Sequence, residues 1–160
     1  MKTILFYILS PFFLLACHSR LSSNSNSDTS QKISYPSDNV PEFRKEIKSK
    51  PVAEYKIRTD DPLNDFYFTV KLYETNRTFD YKLEFQFEEV RGEDTIRFPN
   101  FGFSPAPGLQ KGDGEYSCII GFYDKDQKFR TYKKVFVKDG REVKIVTLNR
   151  YSVVTEDASK

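Results

Sequence analysis

Side chains that could perform nucleophilic or metal chemistry are scarce in this chain. Its 160 residues include one histidine, His18, and two cysteines, Cys17 and Cys118. Because His18 precedes every segment with a folding pattern, a Ser-His-Asp or Cys-His catalytic site in the folded part is excluded. A zinc site built from histidine and cysteine is excluded there for the same reason. We therefore predict no catalytic residues, no metal and no other cofactor.

Carboxylates are the remaining candidates, either as a catalytic pair or as ligands for calcium. Glu88 and Glu89 are adjacent in a predicted strand, so they should point to opposite faces and form no pair. Two groups of aspartates could supply calcium ligands, namely Asp60, Asp61 and Asp65 in one group and Asp124 and Asp126 in the other. Neither group matches an EF-hand loop, and aspartate is common in turns, so we interpret both as turn residues.

A connection rich in phenylalanine and proline is the first candidate for binding a partner. Residues 98–109 (FPNFGFSPAPGL) contain four large apolar side chains, Phe98, Phe101, Phe103 and Leu109. Loops are usually polar, and an exposed apolar loop is typical of a docking site. Two interpretations follow: the loop docks on a protein partner, or its phenylalanines close one end of the core.

Two tyrosines are the second candidate for partner binding. Tyr67 and Tyr73 point away from the predicted core along one strand. Tyrosine has an apolar ring and a polar hydroxyl, which suits contacts with proteins or sugars. The two side chains could equally belong to a cover over the sheet.

The first 17 residues contain the most specific motif of the chain. A positive residue is followed by a short apolar run at 4–13, which cannot span a bilayer as a helix and is typical of a secretory signal peptide. The sequence LLAC at positions 14–17 resembles the lipobox of bacterial lipoproteins. The resemblance implies that residues 1–16 are a cleaved signal peptide and that Cys17 is lipidated. It also implies an anchor in the bacterial outer membrane or at the cell surface, since His18 is not the aspartate that retains enteric-type lipoproteins in the inner membrane.

Residues 17–50 are predicted to be the lipidated cysteine and a flexible tether. Residues 18–30 (HSRLSSNSNSDTS) are nearly all polar, so they cannot bury enough apolar surface to offset the entropy of ordering. If the whole stretch from residue 18 to residue 50 is coil, its typical reach is about 30 Å. A short helix is an alternative over residues 40–50, where Phe43 and Ile47 are four positions apart. We interpret the lysines and arginines of this segment as a solvated face.

Alternating apolar and polar residues predict β-strands across a domain at residues 51–155. The residues expected on inner faces include Phe66, Phe68, Val70, Leu72, Phe79, Tyr81, Leu83, Phe85, Phe87 and the small buried thiol of Cys118. Turns are predicted at 75–78, 91–93, 124–128 and 138–141. About seven strands result, and an antiparallel β-sandwich is the predicted fold, with a small barrel as the alternative. Residues 156–160 are expected to be a disordered tail.

The stretch GEYSC at residues 114–118 resembles part of the tyrosine corner of immunoglobulin domains. The aspartate of that motif is displaced here to Asp113, and the chain contains no tryptophan for the immunoglobulin core. The resemblance implies a sandwich of the immunoglobulin-like type, and a transthyretin-like sandwich is equally compatible.

The balance of charge argues against nucleic acid as a partner, since 25 basic residues face 23 acidic ones. We expect a non-catalytic, lipid-anchored envelope lipoprotein whose sandwich binds a protein partner, for example as an accessory subunit of an envelope complex. The alternative is a surface-exposed lipoprotein that binds sugars or host matrix ligands.

Overall fold

The structure is a computed structural model that describes residues 29–34 and 40–154, with side chains placed for residues 40–152. All regular secondary-structure elements in these residues are β-strands, so the predicted all-β fold is confirmed. The strands are β1 (Thr29–Ser34), β2 (Ala53–Arg58), β3 (Tyr67–Glu74), β4 (Asp80–Phe87), β5 (Val90–Arg97), β6 (Ala106–Lys111), β7 (Ser117–Tyr123), β8 (Phe129–Lys138), β9 (Glu142–Thr147) and β10 (Asn149–Val154). The predicted signal peptide, Cys17 and the tail at 156–160 lie outside the described residues.

Eight strands form two antiparallel sheets of four, as the predicted sandwich requires. The first sheet has the order β2-β3-β4-β5 and the second has the order β6-β7-β8-β9. Each sheet is a meander of sequential strands, and β2 lies against β6 where the sheets meet. This order differs from the Greek-key connections of immunoglobulin domains. The remaining two strands, β1 and β10, pair in parallel as a separate ribbon.

The core lies between the inner faces of the two sheets. Leu72 of β3 faces Leu83 of β4, and both are fully buried, which confirms the predicted inward register. The other buried apolar residues are Phe68, Val70, Tyr81, Phe87, Ile96, Phe98, Phe101, Cys118, Ile120, Phe122 and Val135. Phe85 shares the inner face but is only half-buried, because it lies near the sheet edge opposite Gly92.

The turn between β4 and β5 lies earlier than the sequence predicts. Glu88 and Glu89 form it, and Glu88 has a φ of 53°. These two glutamates are therefore not strand neighbours, and residues 91–93 are not a turn but part of β5. Gly92 is a strand residue covered by an aromatic ring, since a Cβ there would lie 2.3 Å from the Phe85 ring.

An edge strand occupies part of the predicted connection at 98–109. β6 includes Pro107 and Gly108 and pairs with β7. Proline is tolerated because β6 is at the edge of its sheet, where a missing N–H costs no ladder bond. Gly108 leaves room for the Tyr123 ring, which would lie 2.7 Å from a Cβ. Reading proline and glycine only as loop signals concealed this strand, so about seven predicted strands become eight in the sandwich.

The second sheet contains a tight turn between β8 and β9 and a β-bulge between β7 and β8. Asp139 and Gly140 have φ values of 52° and 66°, so the hairpin predicted at 138–141 is confirmed. The register between β7 and β8 shifts at Ile120 and Gly121, which leaves Tyr132 as an extra residue of β8. The Tyr132 hydroxyl donates a hydrogen bond to the carbonyl of Arg97 in the other sheet at 3.0 Å.

The predicted tether boundary at residue 50 lies too late in the chain. Residues 40–50 form no helix and instead lie against the turn between β3 and β4. The Arg44 guanidinium donates to the Thr75 carbonyl at 2.7 Å and lies 4.5 Å from the centre of the Tyr81 ring. It also donates to the carbonyls of Arg77 and Thr78. Arg44 thus has four carbonyl acceptors and the face of an aromatic ring within reach. These charge-assisted contacts explain why this segment contacts the domain.

The paired strand β1 also lies within the predicted tether. Thr29 is the register partner of Asn149, and the pairing continues to Ser34 and Val154. The Asn149 side chain donates to the Thr131 carbonyl at 3.0 Å, which places the start of this ribbon beside the start of β8.

Candidate functional site

The sandwich has two ends, because antiparallel strands bring alternate connections together. We call one the proximal end, because the N-terminal segment at 40–50 joins the domain there. It also contains the turn at 75–79, the connection at 98–105 and the turn at 124–128. The opposite distal end consists of the connections at 59–66, 88–89, 112–116 and 139–141.

Phe98 and Phe101 close the proximal end of the core. Their exposed fractions are 1% and 0%, and both rings contact Phe122, with centroid distances of 5.6 Å and 4.9 Å. The expectation that these two residues bind a partner is therefore wrong, and the alternative that they plug the core is confirmed. Burial of aromatic surface favours this placement over an exposed loop.

Phe103 and Leu109 are half-buried and pack against the same core. The Phe103 ring stacks on Phe101 at 5.8 Å and has the Lys125 ammonium 5.8 Å from its centre. Leu109 lies in β6 opposite Ile120. These positions add to the plug, and they form no exposed apolar patch of the kind that a docking loop would need.

Tyr67 and Tyr73 lie on the outer face of the first sheet, as their alternation predicts. Both are half-buried, and lysine ammonium groups cover their rings: Lys56 at 3.8 Å from the Tyr67 centre and Lys82 at 5.1 Å from the Tyr73 centre. Burial, followed by the nearby charge of Glu84, raises the pKa of Tyr73. The two rings stand at opposite ends of β3, so they do not form one site.

Tyr67 lines a groove of about 540 Å³ on this outer face. The other lining residues are Glu54, Lys56, Thr69, Lys71, Glu84, Phe85, Gln86, Arg91, Gly92 and Glu93. Lys71 and Glu54 form an ion pair at 3.3 Å, whereas Glu84 and Glu93 face each other across β4 and β5. A groove with both signs of charge and one ring suits a polar ligand such as a sugar or an extended peptide.

A second cleft, of about 450 Å³, opens at the proximal end. Its apolar lining includes Phe79, Phe98 and Pro99, while Arg77 and Arg97 contribute positive charge. Arg97 is held by two hydrogen bonds to Asp80, at 2.7 and 2.8 Å. This hydrogen bonding to Arg97 is the main cause that lowers the pKa of Asp80.

Leu63 is the most exposed large apolar side chain with a described position, at 89%. Its loop is ordered by Asp61, whose carboxylate accepts from the backbone N–H groups of Leu63 at 2.7 Å and Asn64 at 3.0 Å. The Asn64 amide donates to the same carboxylate at 3.1 Å. These hydrogen bonds lower the pKa of Asp61, and the one from the Asn64 side chain contributes most. The distal end therefore presents an apolar side chain on a structured turn.

The connections at the same end have an excess of acidic residues, two of which pair with basic residues of the strands: Asp65 with Arg58 and Asp113 with Lys134. These four connections contain one basic residue, Arg141, against the acidic residues Asp60, Asp61, Asp65, Glu88, Glu89, Asp113, Glu115 and Asp139. Hydrogen bonding with the Asp60 carboxyl, then its charge, raises the pKa of Glu115. Tyr116 joins two of the connections, since its hydroxyl accepts from the Asp60 N–H at 3.0 Å. In a tyrosine corner the partner lies a few residues upstream, so the immunoglobulin resemblance does not extend to this contact.

The aspartates considered for calcium form hydrogen bonds within turns. Asp124 is 2% exposed, and its carboxylate accepts from the Arg130 guanidinium at 2.7 Å and from the backbone N–H groups of Lys128 at 2.9 Å and Asp126 at 3.0 Å. Asp61 orders its own loop as described above. Across residues 40–152, no cluster of three or more His, Cys, Asp or Glu side chains is arranged to hold a metal ion.

Cys118 is fully buried in β7, which confirms its interpretation as a small core residue. Burial raises the pKa of its thiol to about 12. A thiol with this pKa is protonated at neutral pH and is a poor nucleophile.

Two important residues were missed in the sequence. Leu63 is the single apolar side chain in the polar run DDPLND at 60–65, and Asp61 followed by Asn64 is the signal that its loop is ordered. Arg44 gave no signal, because its carbonyl acceptors lie about thirty residues away.

Comparison with protein-family models, with curated proteins and with solved structures found no match. Among the described residues there is no helix of the length and apolar character needed to cross a membrane.

Proposed function

We propose that this protein is a lipid-anchored envelope lipoprotein whose non-catalytic sandwich binds a protein partner through its distal end. The anchor follows from the lipobox-like sequence at 14–17, with Cys17 as the lipidated residue. Its location is the bacterial outer membrane or the cell surface. An accessory subunit of an envelope complex is a concrete form of this role.

The observation that carries the proposal is the separation of the chain's entrance from Leu63. The chain joins the domain at the proximal end, where Arg44 contacts the turn at 75–79 and Thr29 pairs with Asn149. Cys17 precedes Thr29 by 12 residues, so an extended chain spans at most about 40 Å between them. With a lipid at Cys17, the chain coming from the membrane enters the domain at the proximal end, and Leu63 lies at the opposite end. A reach of about 40 Å also leaves the domain free to turn toward a partner.

The composition of the distal end indicates the chemistry of the partner. Leu63 is a suitable anchor for an apolar pocket, and the surrounding carboxylates favour a basic rim around that pocket. The negative charge of these carboxylates also accelerates the encounter with a basic surface at low salt. The lack of any histidine after His18 supports a non-catalytic role.

Crosslinking in intact cells tests this function. We expect a stoichiometric envelope protein to crosslink to the full-length chain and to be lost in Leu63→Ser. The matched control is Val146→Ser, which removes another exposed apolar side chain, 40% exposed, on the edge strand β9. Retention of the partner by both variants, or its equal loss from both, contradicts binding through the distal end.

The groove of mixed charge beside Tyr67 favours a second candidate function. In this alternative, the protein stands on the cell surface and binds sugars or host matrix through the outer face of the first sheet. External protease should then remove the domain from whole cells, and Tyr67→Ala should abolish binding to a glycan or matrix array. A domain protected from protease, with no array signal, excludes this alternative.

A further inference from the structure

Two of the five exposed large apolar side chains in the described structure belong to one short segment at the proximal end. Phe43 is 51% exposed and Ile47 is 54% exposed, and both belong to the segment at 40–50. The segment is held in place between them by Arg44, which is the donor to the carbonyls of the turn at 75–79. These two side chains are therefore presented to solvent by an ordered backbone.

Basic residues surround this apolar pair. Lys45, Lys48 and Lys50 are exposed, and the Arg77 guanidinium lies 5.8 Å from the centre of the Phe43 ring. We call the set of Phe43, Ile47, Lys45, Lys48, Lys50 and Arg77 the proximal patch.

Nearby carboxylates do not neutralise the patch. Glu42 pairs with Arg77 at 3.7 Å, and Glu74 lies 4.0 Å from the Lys48 ammonium and 3.9 Å from Arg44. Glu46 is exposed within the segment. The four basic side chains of the patch outnumber these three carboxylates by one, and Arg44 beside it adds a further positive charge. The proximal cleft adjoins the patch, since Arg77 belongs to both, and Arg97 and the apolar Phe79, Phe98 and Pro99 also line the cleft.

We propose that the proximal patch lies on a membrane surface that contains anionic lipids. Phe43 and Ile47 would enter the headgroup boundary, and the lysines and Arg77 would lie near lipid phosphates. Long basic side chains suit this position because their stems are apolar and their charged ends reach the phosphates. The inference rests on the proposed anchor for its geometry, because Cys17 can lie no more than about 40 Å from Thr29. It deepens the proposed function by fixing which end of the sandwich faces the lipid.

The test uses the full-length protein reconstituted in vesicles of phosphatidylglycerol and phosphatidylethanolamine. A fluorophore is attached in one variant at Ser49→Cys, within the exposed proximal segment, and in another at Glu89→Cys, at the distal end. The native Cys118 is buried and does not react. Quenching by a nitroxide on the lipid headgroup then reports distance from the membrane. We expect the quenching at position 49 to exceed that at position 89 on the order of threefold or more.

Matched variants identify the chemistry. Phe43→Ser/Ile47→Ser, and separately the replacement of phosphatidylglycerol by phosphatidylcholine, should reduce quenching at position 49 toward the value at position 89. Leu63→Ser removes an exposed apolar side chain at the other end and should leave the quenching unchanged. Equal quenching at the two positions, or quenching that ignores both the double variant and the lipid charge, overturns the proposal.

Mass spectrometry of the N-terminal peptide separates this inference from the proposed function. Lipid on Cys17 together with equal quenching at the two positions overturns the membrane-facing patch alone. An unmodified Cys17 would itself take up the fluorophore, so in that case the measurement is repeated in a Cys17→Ser background. Strong quenching at position 49 there overturns the anchor and supports the patch, because the patch then binds the vesicle by itself.

Discussion

The connections between strands use apolar residues differently at the proximal and distal ends of the sandwich. At the proximal end, Phe98 and Phe101 pack on Phe122, and the extra residue Tyr132 closes the gap from β8. At the distal end, Leu63 is exposed to solvent on a loop with several carboxylates, and Val90, directly after the turn at 88–89, is also exposed. The connection with the most apolar residues thus completes the core with its two fully buried rings.

The ends also differ in what holds them together. Arg44 and Arg97 at the proximal end donate to several carbonyl and carboxylate oxygens of neighbouring elements. At the distal end the contacts between connections are fewer, and the hydrogen bond from the Asp60 N–H to Tyr116 is one of them. We therefore expect the proximal end to be the more sensitive to substitution and the distal end the more tolerant, as a surface for binding requires.

Phe122→Ala should have the largest effect on stability. The ring is fully buried and touches Phe98, Phe101 and Tyr151, so its removal leaves a cavity that rigid neighbours cannot fill. We expect a loss of about 3–5 kcal/mol in the free energy of unfolding, measured by urea denaturation. The distal control, Leu63→Ala, should change the same free energy by less than about 0.5 kcal/mol. Similar losses in the two variants would remove the distinction between the ends.

Arg44→Met comes second, because it removes the donor that joins residues 40–50 to the domain. The carbonyls of Thr75 and Thr78 then lose a charged partner while remaining partly buried. We expect a loss of about 1–3 kcal/mol in the free energy of unfolding. Chymotrypsin should also cleave after Phe43 faster than in the native protein. Lys45→Met, at the exposed neighbouring position, is the control, and an equal increase in cleavage there would show that Arg44 does not hold the segment.

Gly140→Ala tests the distal end with a smaller effect. The residue has a φ of 66°, and nothing lies within 4 Å of a Cβ there, so the cost comes from the backbone alone. We expect a loss of about 1 kcal/mol. Gly114→Ala, also at the distal end, meets only the Ser117 Cβ at 3.4 Å and should stay within about 0.5 kcal/mol of the native protein. If the two alanine variants are equally stable, the turn at 139–141 is free to relax.

How far the sequence predicts this molecule depends on the range of the interactions. Alternation and the Asp139-Gly140 turn are local, so they predicted the inward faces of β3 and β4 and the last hairpin. Gly92 was misinterpreted because its reason, the Phe85 ring across the strand pair, is not local. The roles of Arg44 and Phe101 depend on contacts tens of residues away, and periodicity contains no information about them. Tyr67 was predicted as a surface residue, whereas the groove around it requires four strands in register.

The smallest expected effect is a difference between the ends in their response to pH. The pKa of Asp80 is lowered from 3.8 by its hydrogen bonds to Arg97, so this pair stabilises the fold above that pH and the contribution is lost as the pH falls through the folded value. The pKa of Glu115 is raised from 4.5 by Asp60, so Glu115 costs stability once it ionises and the cost disappears in acid.

Asp80→Asn should therefore lower the free energy of unfolding at pH 7, and Glu115→Gln should raise it. At pH 3 the Asp80→Asn loss should shrink, and the Glu115→Gln gain should vanish. Both changes should be smaller than that of Gly140→Ala, because the Arg97 side chain is 65% exposed and solvent screens its pair. Urea denaturation at the two pH values measures them. A gain from Asp80→Asn, or a loss from Glu115→Gln at pH 7, would mean that the proximal pair does not stabilise the fold or that the distal carboxyls do not repel each other. The opposite signs otherwise follow from one difference: the proximal carboxylate faces a guanidinium, and the distal carboxylate faces another carboxylate.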